Sequence, residues 1–210
     1  MKYPRQGCAV AVLDRFLYVA GGHDGNNYLN TMEKYCIETN QWHEVSPMKT
    51  KQFRFNLVEH NRKLYALGGS DGNKYLNTVE CYDPEKDLWE YKANMTNYCG
   101  WYGAVNFQNR IYVVGYKQCK VYNPEKDRWE KISNGPSEYK MGRSLLVFKG
   151  KLIVIGGRIG EIQECKCVST VEYYDFIDRV WKAGNNMKIP RCYHAAAVIP
   201  SQSSTDFFNL

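Results

Sequence analysis

Four times along the chain a tyrosine is followed, seven residues later, by a tryptophan: Tyr35 and Trp42, Tyr82 and Trp89, Tyr122 and Trp129, Tyr174 and Trp181. The first two units are near copies. Gly21–Trp42 (GGHDGNNYLNTMEKYCIETNQW) and Gly68–Trp89 (GGSDGNKYLNTVECYDPEKDLW) agree at 13 of 22 aligned positions. Weaker echoes begin at Gly115 and at Gly156-Gly157. The tryptophans stand 47, 40 and 52 residues apart, so spacing is fixed inside a unit and variable between units. That combination marks a repeat protein whose insertions fall in loops on one side.

Each unit opens with a short apolar stretch: Cys8–Leu13, Asn56–Glu59, Gly103–Phe107 and Ser144–Phe148. Two polar residues break it (Asp14-Arg15, Asn61-Arg62, Asn109-Arg110, Lys149-Gly150), and the chain turns apolar again over Phe16–Ala20, Lys63–Leu67, Ile111–Val114 and Lys151–Ile155. Two β-rich runs around so tight a break predict a hairpin of strands A and B. Strand B is apolar at consecutive positions, which predicts burial on both faces. Glycine pairs end it where positive φ and close backbone approach are needed. Asp24-Gly25 and Asp71-Gly72 then mark turns. Strand C follows at Thr31–Cys36, Thr78–Tyr82, Lys120–Tyr122 and Thr170–Tyr174, and strand D carries the tryptophan. Four short antiparallel strands in units of about 40–50 residues, without helical periodicity, describe propeller blades and an all-β fold.

At 210 residues, 44% hydrophobic and 14% aromatic, the chain is a globular array long enough for a substantial core. Its net charge of +6 is scattered, which points to a solvated surface and away from nucleic acid. No apolar run approaches the ~20 residues of a membrane span, and no apolar segment follows Met1-Lys2-Tyr3-Pro4 as a secretory leader would require. A cytoplasmic setting is therefore expected. There the eight cysteines, whose places differ between units, would stand as reduced thiols, and the sequon Asn94-Met95-Thr96 would be idle. Cys165-Lys166-Cys167 has metal-like spacing but lacks two further ligands nearby.

A double glycine, a tyrosine, six residues, a tryptophan and an arginine opening the next unit together resemble the kelch repeat. The resemblance runs from residue 5 to about residue 199. LNTMEKY and LNTVECY look most like the Kelch-like family of cullin-RING ligase adaptors. The units read as residues 5–47, 52–95, 99–134 and 140–187, with a closing strand over 191–199 and a tail over 200–210. The structural signature is Gly21, Gly22, Tyr35 and Trp42; Gly68, Gly69, Tyr82 and Trp89; Gly115, Tyr122 and Trp129; Gly156, Gly157, Tyr174 and Trp181. Their rings are expected to fill the wedges between blades. Glu33, Glu80 and Glu172, which recur in strand C, are expected to be structural partners of basic or backbone groups. The third unit departs from the pattern. Only four residues separate Gly115 from Lys120 where the first two units have eleven, so its B–C loop is seven shorter.

The four histidines, His23, His43, His60 and His194, fall at different places in the repeat, and the copper-oxidase kelch ligand set is absent. Neither G-x-S-x-G, the P-loop nor H-E-x-x-H occurs, so no enzyme, cofactor or metal is expected. Function is expected in loops at one end. The resemblance places it at the residue after the glycine pair (His23, Ser70, Lys117, Arg158) and at the opener of strand A (Arg5, Gln52, Cys99, Lys140, Arg191). Arg54 and Arg143 are alternates nearby, and Tyr28 and Tyr75 add exposed aromatics. A rim of Arg, Lys, His and Tyr suits a protein substrate with an acidic or phosphorylated segment.

The family role implied is substrate recognition for a cullin-3 type E3 ubiquitin ligase. It would engage the cullin only through a BTB domain, which this chain does not contain. An actin-binding or scaffolding module associated with the cytoskeleton is the alternative. No nucleic acid or membrane partner is expected. Since Arg191–Ile199 reads as a fifth strand A while the first unit already has its own, the array is expected to be an incomplete part of a six-bladed propeller.

Overall fold

The computed structural model describes residues 1–96, 103–115, 118–136, 141–159 and 166–199. Four four-stranded antiparallel sheets form the blades of a β-propeller. The first is β1 (Ala9–Leu13), β2 (Phe16–Ala20), β3 (Met32–Cys36) and β4 (Gln41–Val45). The second is β5 (Asn56–His60), β6 (Lys63–Leu67), β7 (Val79–Asp83) and β8 (Leu88–Lys92). The third is β9 (Gly103–Phe107), β10 (Arg110–Gly115), β11 (Gln118–Asn123) and β12 (Arg128–Ser133). In the fourth, β13 (Ser144–Phe148) and β14 (Lys151–Ile155) precede a small ribbon, β15 (Arg158–Ile159) with β16 (Lys166–Cys167). β17 (Val171–Asp175) and β18 (Val180–Ala183) complete it.

The polar breaks close as two-residue hairpin loops, the third one residue earlier than expected, at Gln108-Asn109 with Arg110 already in β10. Leu13 pairs with Phe16, His60 with Lys63, Phe107 with Arg110 and Phe148 with Lys151. At Asn61-Arg62 and Gln108-Asn109 both loop residues take positive φ, the geometry that matches the right-handed twist of the flanking strands. β6 is buried along Leu64–Leu67, as its uninterrupted apolar run requires.

The inner strands β1, β5, β9 and β13 pack side by side along the axis. With residues 196–198 they line an axial channel of about 380 Å³. Among the described residues, three apolar cores fill three seams between successive blades. On β1, Val10 and Val12 are exposed, the latter 63% and bordering the channel, and Ile177 beyond β17 is 92% exposed.

A three-residue device repeats at the seams. Tyr82, Asp87 and Trp89 share the β7–β8 hairpin. The Tyr82 hydroxyl donates to Asp87 Oδ1 at 2.6 Å, and the same oxygen accepts the Ser46 N–H of the preceding blade at 2.9 Å. Trp89 Nε1–H donates to the Ser46 carbonyl at 3.0 Å. One blade thus satisfies both backbone groups of a single residue in its neighbour. In the next blade Tyr122 donates to Asp127, Ala93 N–H donates to Asp127 Oδ1 at 2.7 Å, and Trp129 Nε1–H donates to Ala93 O at 2.8 Å. The fourth blade keeps only Trp181 Nε1–H to Asn134 O, at 3.1 Å, because Arg179 stands where the aspartate would. In all four hairpins the Tyr and Trp rings lie 5.0 to 5.4 Å apart.

Two expectations need correction. Residues 191–199 form no strand. β2 already pairs with β1, so the strand-A place in the first blade is taken. The segment instead docks on the fourth blade, with Gly157 N–H donating to Arg191 O, Arg191 N–H to Val168 O and Tyr193 N–H to Gly142 O. That docking brings Cys192 to Cys167 at a Cα separation of 5.5 Å, and the pair is a disulfide rather than two thiols. Cys8, Cys36, Cys81 and Cys119 are free. Cys165 lies outside the described residues.

Trp89 is 2% exposed, whereas Trp42 is half-buried and has no preceding-blade hydrogen bond among the described residues. Trp89→Ala is expected to cost about 3–5 kcal/mol in urea unfolding and Trp42→Ala clearly less. Equal losses would show that the seam bonds add nothing.

Candidate functional site

The residue after each glycine pair and the residue beside each strand-A opener meet as a short backbone bridge. Gln6 pairs with His23, Phe53 with Ser70, and Met141 with Arg158. Phe53 and Ser70 exchange both N–H···O bonds at 2.9 Å. The two regions named from sequence are therefore one surface. Beyond the bridge the loops are held by their aspartates. Asp24 Oδ1 accepts the N–H groups of Asn26 and Asn27, and Asp71 Oδ1 those of Asn73 and Lys74, at 2.7–2.9 Å. Those bonds hold both carboxyls below the usual range and commit them to the loop.

Tyr28 crosses the first seam to lie on the second blade's loop. Gly72 has φ +97°, and a Cβ there would sit 2.1 Å from the Tyr28 ring, so only glycine lets this aromatic through. Tyr28 also contacts His23 and Phe53 edge-on, with centroids 4.7 and 5.8 Å apart. Tyr75 is the equivalent residue one blade on, yet it is 51% exposed. In the third blade β10 and β11 pair as far as Gly115 and Gln118, so no long loop stands there to cover it. Tyr28, Phe53, Arg54, Ser70, Lys74 and Tyr75 line a cleft of about 290 Å³.

Arg54 is the pivot of the face. It adopts left-handed φ (+54°) at a position where the first and fourth units have Gly7 and Gly142. Its N–H donates to Gly7 O at 2.8 Å, and its guanidinium stacks 4.7 Å over Phe53. Arg54 also borders a second cavity of about 370 Å³, shared with Asn56, Arg143, Tyr193 and His194. Arg158 stacks on Tyr193 at 5.4 Å. Burial, then Arg191, pushes the His194 imidazole down, favouring its neutral form. Arg191 itself is exposed. The face thus holds two groups joined by Arg54, one around Tyr28–Tyr75 and one of Arg143, Arg158 and Arg191. Cys99, Lys117 and Lys140 lie outside the described residues.

Arg5 does not belong to the rim. Its side chain is 0% exposed and pairs with Glu33 at 2.8 Å, while Nη1 donates to the carbonyls of Gly21 and Thr31 at 2.9 Å. The cation is drawn inward by the strand-C carboxylate. Burial works against the Glu33 charge, but Lys2 N–H and the Arg5 guanidinium outweigh it and hold the carboxyl low. In the second blade Gln52 occupies the Arg5 position. Glu80, fully buried, accepts Lys49 N–H at 2.7 Å and Thr50 N–H at 3.0 Å. With no guanidinium opposite, burial wins and pushes its carboxyl up. Gln52 Oε1 is buried without a hydrogen bond. Lys120 takes the acid's place in the third blade and donates to Thr96 Oγ1 at 2.7 Å. Sequence reasoning passed over Phe53 and Lys74. Phe53 has Gln6 at the matching place, so a search for recurrence could not flag it.

A family model described as Kelch motif matches residues 4–49, 53–96 and 141–188, well over half of the chain. The divergent third unit is not matched. Human Kelch-like protein 4 is 46% identical over 48 residues, 23% of this chain and 7% of that protein. The Xenopus laevis Influenza virus NS1A-binding protein homolog is 40% identical over 58 residues, 28% of this chain and 9% of the other. The chain thus matches only a small part of these relatives' length. The solved structure of YjhT superposes with a TM-score of 0.80 at 17% identity, covering 90% of this chain and 73% of that one.

Because the folded-state pKa of Glu80 is raised, its contribution falls as pH rises from the ordinary carboxylate value, about 4.3, through the folded value. Gln52→Arg would supply the missing cation and pull the folded-state value below the ordinary one, so the loss above about 4.3 would vanish and stability would instead be gained as pH rises through the window just below it. At pH 7 the variant is expected to be about 1–3 kcal/mol more stable in urea unfolding. A pH slope unchanged from wild type would show that the new guanidinium does not reach Glu80.

Proposed function

This chain belongs to the kelch-repeat family of β-propellers, and from that premise we propose that it is the substrate-recognition part of a BTB-kelch adaptor for a cullin-3 type E3 ubiquitin ligase. The coarser role, a protein-interaction module, is what the kelch repeats and Kelch-like relatives support. In the proposal the loop face receives an acidic or phosphorylated segment, a BTB region of the full gene product holds the cullin, and the chain performs no catalysis itself.

One observation carries the reading. Arg54 holds a strained left-handed backbone where a glycine would be relaxed, and it presents a stacked guanidinium to both loop-face cavities. Strain of order 1–2 kcal/mol at a non-glycine residue is tolerated where the side chain is needed. Arg54→Gly removes strain and side chain together. It is expected to leave the melting temperature within a few degrees of wild type and to weaken capture of the bound protein at least tenfold, about 1.4 kcal/mol. In the full gene product, the proteins lost from the variant should be those that accumulate under ligase inhibition. An undiminished partner set in quantitative mass spectrometry would overturn the assignment.

The reading carries a cytoplasmic site of action. In a reducing compartment the Cys167–Cys192 bridge would be opened, and both residues would alkylate as thiols in trapped whole cells. A bridge persisting in cells would place the protein elsewhere.

A further inference from the structure

We propose that the cleft between Tyr28 and Tyr75 takes an aromatic side chain bearing its own negative charge, a phosphorylated or sulfated tyrosine. This rests on the reading of the loop face as a protein-binding surface and adds the class of side chain bound there. The cleft holds about 290 Å³, the size of one large side chain and at the floor of the range for small-molecule sites, roughly 300–1,000 Å³.

Its walls and its charge call for different halves of the same group. Tyr28, Phe53 and Tyr75 are rings, which favour offset or edge-on contact with another ring. Arg54 and Lys74 are also among the lining residues, whereas no carboxylate is. The nearest acid in the loop, Asp71, is turned into its own turn by Asn73 and Lys74 N–H. Ser70 Oγ accepts the Gly72 N–H at 3.1 Å, which leaves its proton to donate. A neutral ring would meet the walls and ignore the cations. A bare anion would meet the cations and make no use of the aromatic walls. An aryl phosphate or sulfate satisfies both, since its oxygens accept from a guanidinium, an ammonium and a hydroxyl while its ring lies between tyrosines.

The cleft is also preformed. Tyr28 is wedged over Gly72 and braced by His23 and Phe53, and the Phe53–Ser70 bridge fixes the floor. Little ordering entropy is then lost on binding.

Titration of the chain with phenyl phosphate, phenyl sulfate, inorganic phosphate and phenol, followed by NMR, tests the proposal. One of the two aryl anions should give saturable shifts at Ser70, Gly72 and Tyr75 with a Kd of about 1 mM or tighter, at least tenfold below inorganic phosphate and phenol. The tighter aryl anion identifies the modification, phosphate or sulfate. Arg54→Gly and the surface change Tyr75→Ala should each weaken it severalfold. Inorganic phosphate binding as well as phenyl phosphate, phenol binding as well as either, or no saturable shift at these residues up to about 10 mM would each overturn it. The partner-capture result for Arg54→Gly stands or falls separately, because it does not depend on these probes.

Discussion

Asp87 Oδ1 accepts a hydrogen bond from the Tyr82 hydroxyl of its own hairpin and another from Ser46 N–H of the blade before, while Trp89 Nε1–H donates to the carbonyl of that same Ser46. The bond from Tyr82 is the main reason the Asp87 carboxyl sits below its ordinary range, and burial together with that bond pushes the Tyr82 hydroxyl up. Sheets that pack face to face with apolar side chains can slide, whereas two hydrogen bonds to one residue fix a position along the seam. The recurrence at Ala93 sets the second and third blades in the same relation. The inner strands consequently share an axis, and the described parts of the B–C loops emerge on the same face. The binding surface depends on that alignment, because Tyr28 must cross a seam to reach Gly72.

Fixed Tyr-to-Trp spacing makes the blades legible in the sequence. The hairpin that brings Tyr82 opposite Trp89 needs that number of residues, and the register pairs them directly. The strand-C glutamates were legible as structural for a similar reason, since a charge inside a packed sheet demands a partner. Arg5 was misplaced because recurrence says nothing of depth. An arginine at the start of a strand reads the same whether its guanidinium turns to solvent or reaches inward to Glu33. Cys167 and Cys192 meet only through the docking of residues 191–193, a tertiary event with no signature in spacing.

A perfect repeat would present the same loop four times, and the specific surface arises where the repeats differ. The seven-residue deletion in the third unit leaves Tyr75 uncovered although its counterpart Tyr28 is wedged in place. Phe53 replaces Gln6, which gives the second blade a ring for both Tyr28 and Arg54 to lie against. Arg54 replaces Gly7 at a left-handed position. All three changes fall within one cleft. Exposure of a large aromatic and retention of a strained cation each work against stability of the isolated chain, and each adds contact area or charge that a ligand can use.

The second blade also carries the one buried strand-C acid described here whose opposing opener is an amide. Glu33 and Glu80 accept equivalent backbone N–H groups, from Lys2 and from Lys49, so the difference between them lies in Arg5 against Gln52. A guanidinium at residue 52 would bring its charge into the blade whose adjacent residues, Phe53 and Arg54, line the cleft. Arg5 makes its bonds to Gly21 and Thr31 carbonyls from the same side chain that holds Glu33, and thereby ties the opener to the glycine pair. Among the described residues the Gln52 side chain reaches Thr78, at 3.4 Å, and its Oε1 has no hydrogen bond. The side chain of the second blade's opener is therefore the more weakly held of the two, while its backbone is tied to the first blade through Leu29 O and Gly22 N–H. The blade in which Phe53 and Arg54 replace Gln6 and Gly7 is thus also one that lacks the first blade's ion pair.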